Sequence, residues 1–130
     1  MTGTEWLVER VAKVTDGDTV RLFRSRPYEL DGRHYRLADD LDHEPDGIPI
    51  RLVWVDTPER GNHPGWENAR ADLARWIANR ASLRVICYES AGWDRLLGDL
   101  IDADGNSASQ WLMTAGNNGQ GWAPYTGGRA

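Results

Sequence analysis

Cysteine is all but absent from these 130 residues: Cys87 stands alone, so no disulfide can form within the chain. Its surroundings, LRVICYE, hold no adjoining basic residue to favour a thiolate, and it reads as a small buried hydrophobe rather than a reactive thiol. Lysine is as scarce, with fourteen of the fifteen basic residues being arginine and Lys13 the exception. That bias favours planar, two-pronged recognition of phosphate or carboxylate, which a guanidinium offers and an ammonium does not. No stretch approaches the roughly 18 consecutive apolar residues that a membrane-spanning helix needs. The opening MTGTEWLVER has neither the basic nor the apolar region of a secretory signal, so the expectation is a cytoplasmic protein, acting as a monomer. An excess of positive charge is missing as well. The net charge of −5 counts against binding a polyanion, yet residues 39–46, DDLDHEPD, carry five acids and no Lys or Arg, which leaves the other 122 residues neutral overall.

What is present is a globular composition, 40% apolar, with seven Trp, four Tyr and one Phe, in a length that makes about one domain with a single core. Residues 5–14 alternate loosely and run into Asp16-Gly17, a hairpin signal, with a return strand over 19–23. Residues 28–37 suggest a small second hairpin on Asp31-Gly32. The acidic segment after it lacks the spacing of a calcium loop and reads as a solvated connection. Positions 48–55 form an apolar strand, and Pro58 fits a turn leaving it. Over 64–80, Trp66, Ala69, Leu73, Trp76 and Ile77 fall on one face at helical period, which makes both tryptophans core residues. Strands at 82–89 and 96–103, an Asp104-Gly105 turn, a short helix over 107–116 and an irregular tail complete the chain. The class is α+β, built on a small barrel, because short antiparallel strands avoid exposed edges by closing.

Three features bear chemistry. Asp18 and Asp56, carboxylates at strand ends, suit a hard cation such as calcium. Arg51 lies inside an apolar strand, where a guanidinium is costly unless it is paired or faces a cleft. Arg51 and Asp56 are five apart and point to opposite faces of an ideal strand, so one site can use both only if the strand bulges or ends between them. Glu59, in a turn stiffened by Pro58, is placed to accept a proton from water, and Arg95 begins the last strand. Two arginines, a metal and a carboxylate base make a constellation for phosphodiester hydrolysis.

VTDGDTVRL at 14–22 followed by IRLVWVDTPER at 50–60 resembles the two signature stretches of the staphylococcal nuclease (thermonuclease) family. The likeness continues through the following helix, the RLLGDL strand with its Asp-Gly turn, and the short helix leading to Ala-Pro-Tyr and then Gly-Gly-Arg. It covers most of the chain apart from residues 25–47. The resemblance implies a five-stranded OB barrel with one helix after strand three and one after strand five, as a single domain over 1–130 with a longer acidic insertion at about 25–47. It implies that Asp18, Asp56 and the Thr57 carbonyl bind Ca2+, that Glu59 is the general base, and that Arg51 and Arg95 hold the phosphate and stabilise the pentacoordinate state. Tyr125 falls near the family's aromatic residue beside the bound nucleotide. The implied reaction cleaves the P–O5′ bond of DNA or RNA, leaving 3′-phosphate and 5′-hydroxyl ends.

Departures from the pattern are equally plain. Asp94 is followed directly by Arg95, Leu96 and Leu97, so the turn before the last strand is a few residues short and lacks a tyrosine and a basic residue. Two other readings stay open: a catalytically inactive OB module that holds a single strand through its groove and Tyr125, and a metal-stabilised interaction domain whose acidic loop docks onto a basic protein partner.

Overall fold

A computed structural model of the chain describes residues 3–24, 29–30, 33–34, 46–90 and 95–125. Its first strand, β1 (Thr4–Asp16), is long because it serves two partners. Thr4 to Leu7 pair with β7 (Leu83–Ser90), and Val8 to Asp16 pair with β2 (Thr19–Arg24), both antiparallel. Three register irregularities along the β2 pairing add twist and bend the strand around the core. After β2 comes a two-stranded ribbon, β3 (Glu29–Leu30) with β4 (Arg33–His34), as the small hairpin expected over 28–37 requires. The acidic segment 39–46 lies, apart from Asp46, outside the described residues.

β5 (Ile48–Leu52) pairs antiparallel with β2 and parallel with β8 (Leu96–Asp102), which is in turn antiparallel to β7. The ring closes in the order β1-β2-β5-β8-β7, a five-stranded OB-fold-like α+β barrel as expected. Its interior is filled by Val20, Leu22, Ile50, Leu52, Val85 and Leu100, all completely buried. Burying each such side chain is worth about 1.5–3 kcal/mol. Gly98 in β8 is fixed by contact rather than by conformation, since a Cβ there would collide with the Ile86 carbonyl oxygen across the β7–β8 pair. Cys87 is buried in the same strand layer, the structural role its surroundings imply.

Two helices follow the third and fifth barrel strands. α1 (Gly65–Ala78) buries Trp66, Ala69, Leu73 and Trp76, the stripe read from its periodicity. α2 (Ala108–Thr114) is capped by Ser107, whose hydroxyl accepts the Gln110 N–H at 3.1 Å, and buries Ala108 and Leu112. Buried Asp99 ties β8 to this cap: it accepts the Ser107 hydroxyl, the Ser109 N–H at 3.1 Å and the Ser109 hydroxyl at 3.0 Å.

The tail is more ordered than its Gly- and Asn-rich composition suggests. Asp72, on α1, accepts the Trp122 indole N–H at 2.8 Å and the Asn117 backbone N–H at 2.9 Å through one oxygen, and Arg75 at 2.6 Å through the other. Trp122 also donates its backbone N–H to Leu112 at 2.9 Å. So anchored, the chain runs on as β9 (Ala123–Pro124), antiparallel to β6 (Val55–Asp56).

Replacing Asp72 with Ala strands the Trp122 indole N–H, and we expect it to lower unfolding stability by about 2 kcal/mol, read from denaturant midpoints. A second expectation concerns pH. Burial raises the Asp99 carboxyl above its usual 3.8, outweighing the hydrogen bonds that pull it down. The folded state therefore binds the proton more tightly, and this group's contribution falls as pH climbs from 3.8 through its folded value. Asp102 behaves oppositely: held low by the Asn106 backbone N–H first, then by the Asn106 side chain, Arg80 and the Asp104 N–H, its contribution is lost only as pH drops below 3.8. Stability measured against pH should thus lose its falling limb above 3.8 in Asp99→Asn and keep it in Asp102→Asn.

Candidate active site

The β1–β2 turn supplies the first carboxylate. Asp18 is nearly buried and is held from several sides: its carbonyl accepts the Leu52 N–H at 2.7 Å, one carboxylate oxygen accepts the Thr57 N–H at 3.0 Å, and the other accepts the Thr19 hydroxyl at 3.2 Å. Gly17 makes this possible by having no side chain. A Cβ there would lie 2.5 Å from the Ala69 Cβ and 2.8 Å from the Thr57 hydroxyl, so the turn glycine is demanded by the helix packed against it. Asp16, in the same turn, accepts the Trp66 indole N–H at 2.7 Å and pins α1 to the hairpin.

The second carboxylate depends on a corner. Residues 48–55 read as one continuous strand, but β5 ends at Leu52 and β6 resumes at Val55. Between them Val55 donates to the Val53 carbonyl at 2.8 Å across Trp54, whose φ is 65°, the backbone of the rare γ-turn. This break cancels the alternation that would have opposed Arg51 and Asp56. The Arg51 guanidinium, mostly buried, donates through Nη1 to the carbonyls of Leu52 at 2.5 Å and Val55 at 2.9 Å. Its Nη2 lies 3.5 Å from an Asp18 oxygen and 3.7 Å from an Asp56 oxygen, so both strand-end acids face one cation.

Beyond the corner, Glu59 is exposed, in a turn closed by Asn62 donating to its carbonyl at 3.0 Å. Gly65 lets α1 start against Pro58, whose Cγ would be 2.9 Å from a Cβ at that position. Arg95 immediately precedes β8, where Leu97 pairs with Arg51. The strap brings Tyr125 in from the far end of the chain: its N–H donates to the Trp54 carbonyl at 2.7 Å, and its ring centroid is 5.4 Å from the Arg51 guanidinium carbon.

Asp18, Arg51, Asp56, Glu59, Arg95 and Tyr125 all line one cleft of about 490 Å³, together with Asp16, Leu52, Trp54, Arg60 and Leu97. Thr57 lies at its back: buried, it lines a neighbouring depression of about 590 Å³ that shares Asp56 and Glu59 with the cleft. The shortened turn before Arg95 falls outside the described residues. Asp16, Arg60 and Trp54 were not singled out from sequence. All three sit inside the motifs already noted, but the exposure of Trp54 depends on a turn that its apolar neighbours conceal.

The cleft carboxylates and the carbonyls around them are oxygen donors, and no group of three or more His, Cys, Asp or Glu suited to a metal occurs among the described residues. Oxygen donors of this kind suit a hard cation better than a soft metal, and a cation held here would need water to complete its shell.

No family model matches the chain. Two curated proteins, from Escherichia coli O157:H7 and from Escherichia coli, are each 26% identical to it over 108 residues, which is 82% of this chain and 56% of theirs. Both bear the name "Uncharacterized endonuclease". The chain thus spans little more than half the length of the relatives it matches.

Gly17→Ala forces α1 or Thr57 away from the hairpin. We expect a loss of about 1–3 kcal/mol in unfolding stability, and an unchanged midpoint would show that the helix does not press on this turn.

Proposed function

We propose that this chain is a calcium-dependent nuclease, hydrolysing phosphodiester bonds of DNA or RNA to 3′-phosphate and 5′-hydroxyl ends. The observation that carries the reading is Arg51, set between Asp18 and Asp56 in the same cleft as Glu59 and Arg95. Similarity to two proteins named as endonucleases supports nuclease activity in general.

Charge supports the metal. The cleft is lined by four carboxylates and three guanidinium groups, so an entering phosphodiester meets net negative charge unless a divalent cation reverses it. Asp18, Asp56 and the Thr57 carbonyl are the groups that would hold calcium, which when bound supplies positive charge beside the phosphoryl oxygens. Glu59 takes a proton from water. The water oxygen bonds to phosphorus, the P–O5′ bond breaks, the departing O5′ takes a proton from solvent to become the 5′-hydroxyl, and Glu59 returns its proton to solvent. Arg51 and Arg95 bind the non-bridging oxygens as charge accumulates there. Arg51 suits this because Nη1 is already tied to two backbone carbonyls, so the head need not be ordered during the reaction.

Incubation with single- and double-stranded DNA and with RNA, in calcium or in chelator, tests the proposal. Cleavage should require calcium, produce 3′-phosphate ends, and fall by about 10²- to 10⁴-fold in kcat for Glu59→Gln. Calcium-dependent cleavage that survives Glu59→Gln unchanged would remove Glu59 from the base role. No cleavage under any condition would overturn the enzymatic reading in favour of a binding module.

A further inference from the structure

Trp54 is out of character with its surroundings. The residues on either side of it are completely or almost completely buried, yet it is 39% exposed, and among the described residues it shares the status of large exposed hydrophobic only with Leu7. Leu7 lies in a separate shallow depression with Glu5 and Arg84, whereas Trp54 lines the cleft that holds Arg51 and Arg95.

Its backbone makes the choice of residue stranger. A φ of 65° is a conformation that a bulky side chain rarely adopts, at a cost of about 1–3 kcal/mol. Glycine would make the same turn without that strain. The fold needs the turn but not the tryptophan.

The indole is also held in place. Its ring centroid is 6.3 Å from that of Tyr88, at 48° between planes, while the backbone carbonyl of Trp54 receives the Tyr125 N–H at 2.7 Å and fixes the turn that carries the ring. A braced, partly exposed aromatic beside guanidinium groups is the combination that binds single strands, with bases stacking on the ring while cations follow the backbone. In a duplex both faces of each base are already covered by its neighbours, so such a ring finds no partner.

We propose that Trp54, in contact with Tyr88, is a stacking platform for an unpaired nucleobase of a strand bound in the cleft. The inference rests on the reading of the adjoining cleft as a phosphodiester site.

The test measures binding and cleavage separately. Binding is read by fluorescence anisotropy on the full chain in a Glu59→Gln background, with calcium, using three labelled probes: a short thymidine strand, an abasic strand of equal length, and a duplex. Trp54→Ala should weaken binding of the thymidine strand by about 5- to 150-fold, and leave the abasic strand and the duplex within about twofold. Trp54→Phe should restore most of the loss, and Tyr88→Leu should cause a smaller loss on the thymidine strand alone. Trp54→Gly should lose the same affinity while unfolding at the same or a higher temperature, since it relieves the turn; this separates stacking from a structural role. An equal loss on all three probes, no loss on the thymidine strand, or no binding of that strand by the parent chain would overturn the proposal. If Trp54 governs thymidine-strand affinity but the wild-type chain cleaves nothing, the nuclease reading fails and the platform stands. If the chain cleaves and Trp54→Ala changes no affinity, the platform fails and the nuclease reading stands.

Discussion

A guanidinium placed inside a wall of apolar side chains is the constraint from which the rest of the site follows. Arg51 sits between Ile50 and Leu52, both completely buried, and its charge has to be answered locally. The answer is a corner. Ending the strand at Leu52 turns the carbonyls of Leu52 and Val55 toward Nη1 and swings Asp56 to the side where Asp18 already stands. The same corner lifts Trp54 out of the wall and directs Pro58 and Glu59 along the cleft edge. One mostly buried cation thus sets the positions of residues both before and after it.

Acidic residues divide by what they bind. Asp16, Asp72 and Asp99 accept indole N–H groups, serine hydroxyls and backbone amides, with Arg75 as a further donor to Asp72, and each joins two elements of the frame. They act as struts, and their removal loosens the frame. Asp18 and Asp56 instead share Arg51, and Glu59 is exposed in the same cleft, so a ligand entering the cleft meets these three. Asp18, Asp56 and Glu59 stand out in the sequence by their places at strand ends and turns, whereas the strut roles of Asp16, Asp72 and Asp99 depend on partners that the fold brings from elsewhere in the chain.

Much of the barrel was legible beforehand. β-branched alternation marks β1 and β2, the apolar run marks β5, and the spacing from Trp66 to Ile77 marks α1, because burial imposes a period on each. Asp18, Arg51, Asp56 and Glu59 stood out as charges interrupting those periods, and the structure brings them to one cleft. What stayed hidden was anything decided across the fold. The break at Trp54 sits within an unbroken apolar run. Gly17 looks like a residue chosen for backbone freedom and is in fact required by the closeness of Ala69. Asp72 looks like a solvated helix position, and its hold on Trp122 and Asn117 comes from residues far along the chain.

The strap from Asn117 to Tyr125 has a consequence for how the cleft comes into being. One wall is drawn from the first hairpin, another from the corner at Trp54, a third from the start of β8, and the last from Tyr125, which arrives only when Trp122 has seated on Asp72. The walls are therefore separated by almost the whole described length of the chain. No fragment released by a protease, and no intermediate with one edge of the barrel undocked, carries a complete cleft. The site is a property of the finished fold and has no smaller version of itself.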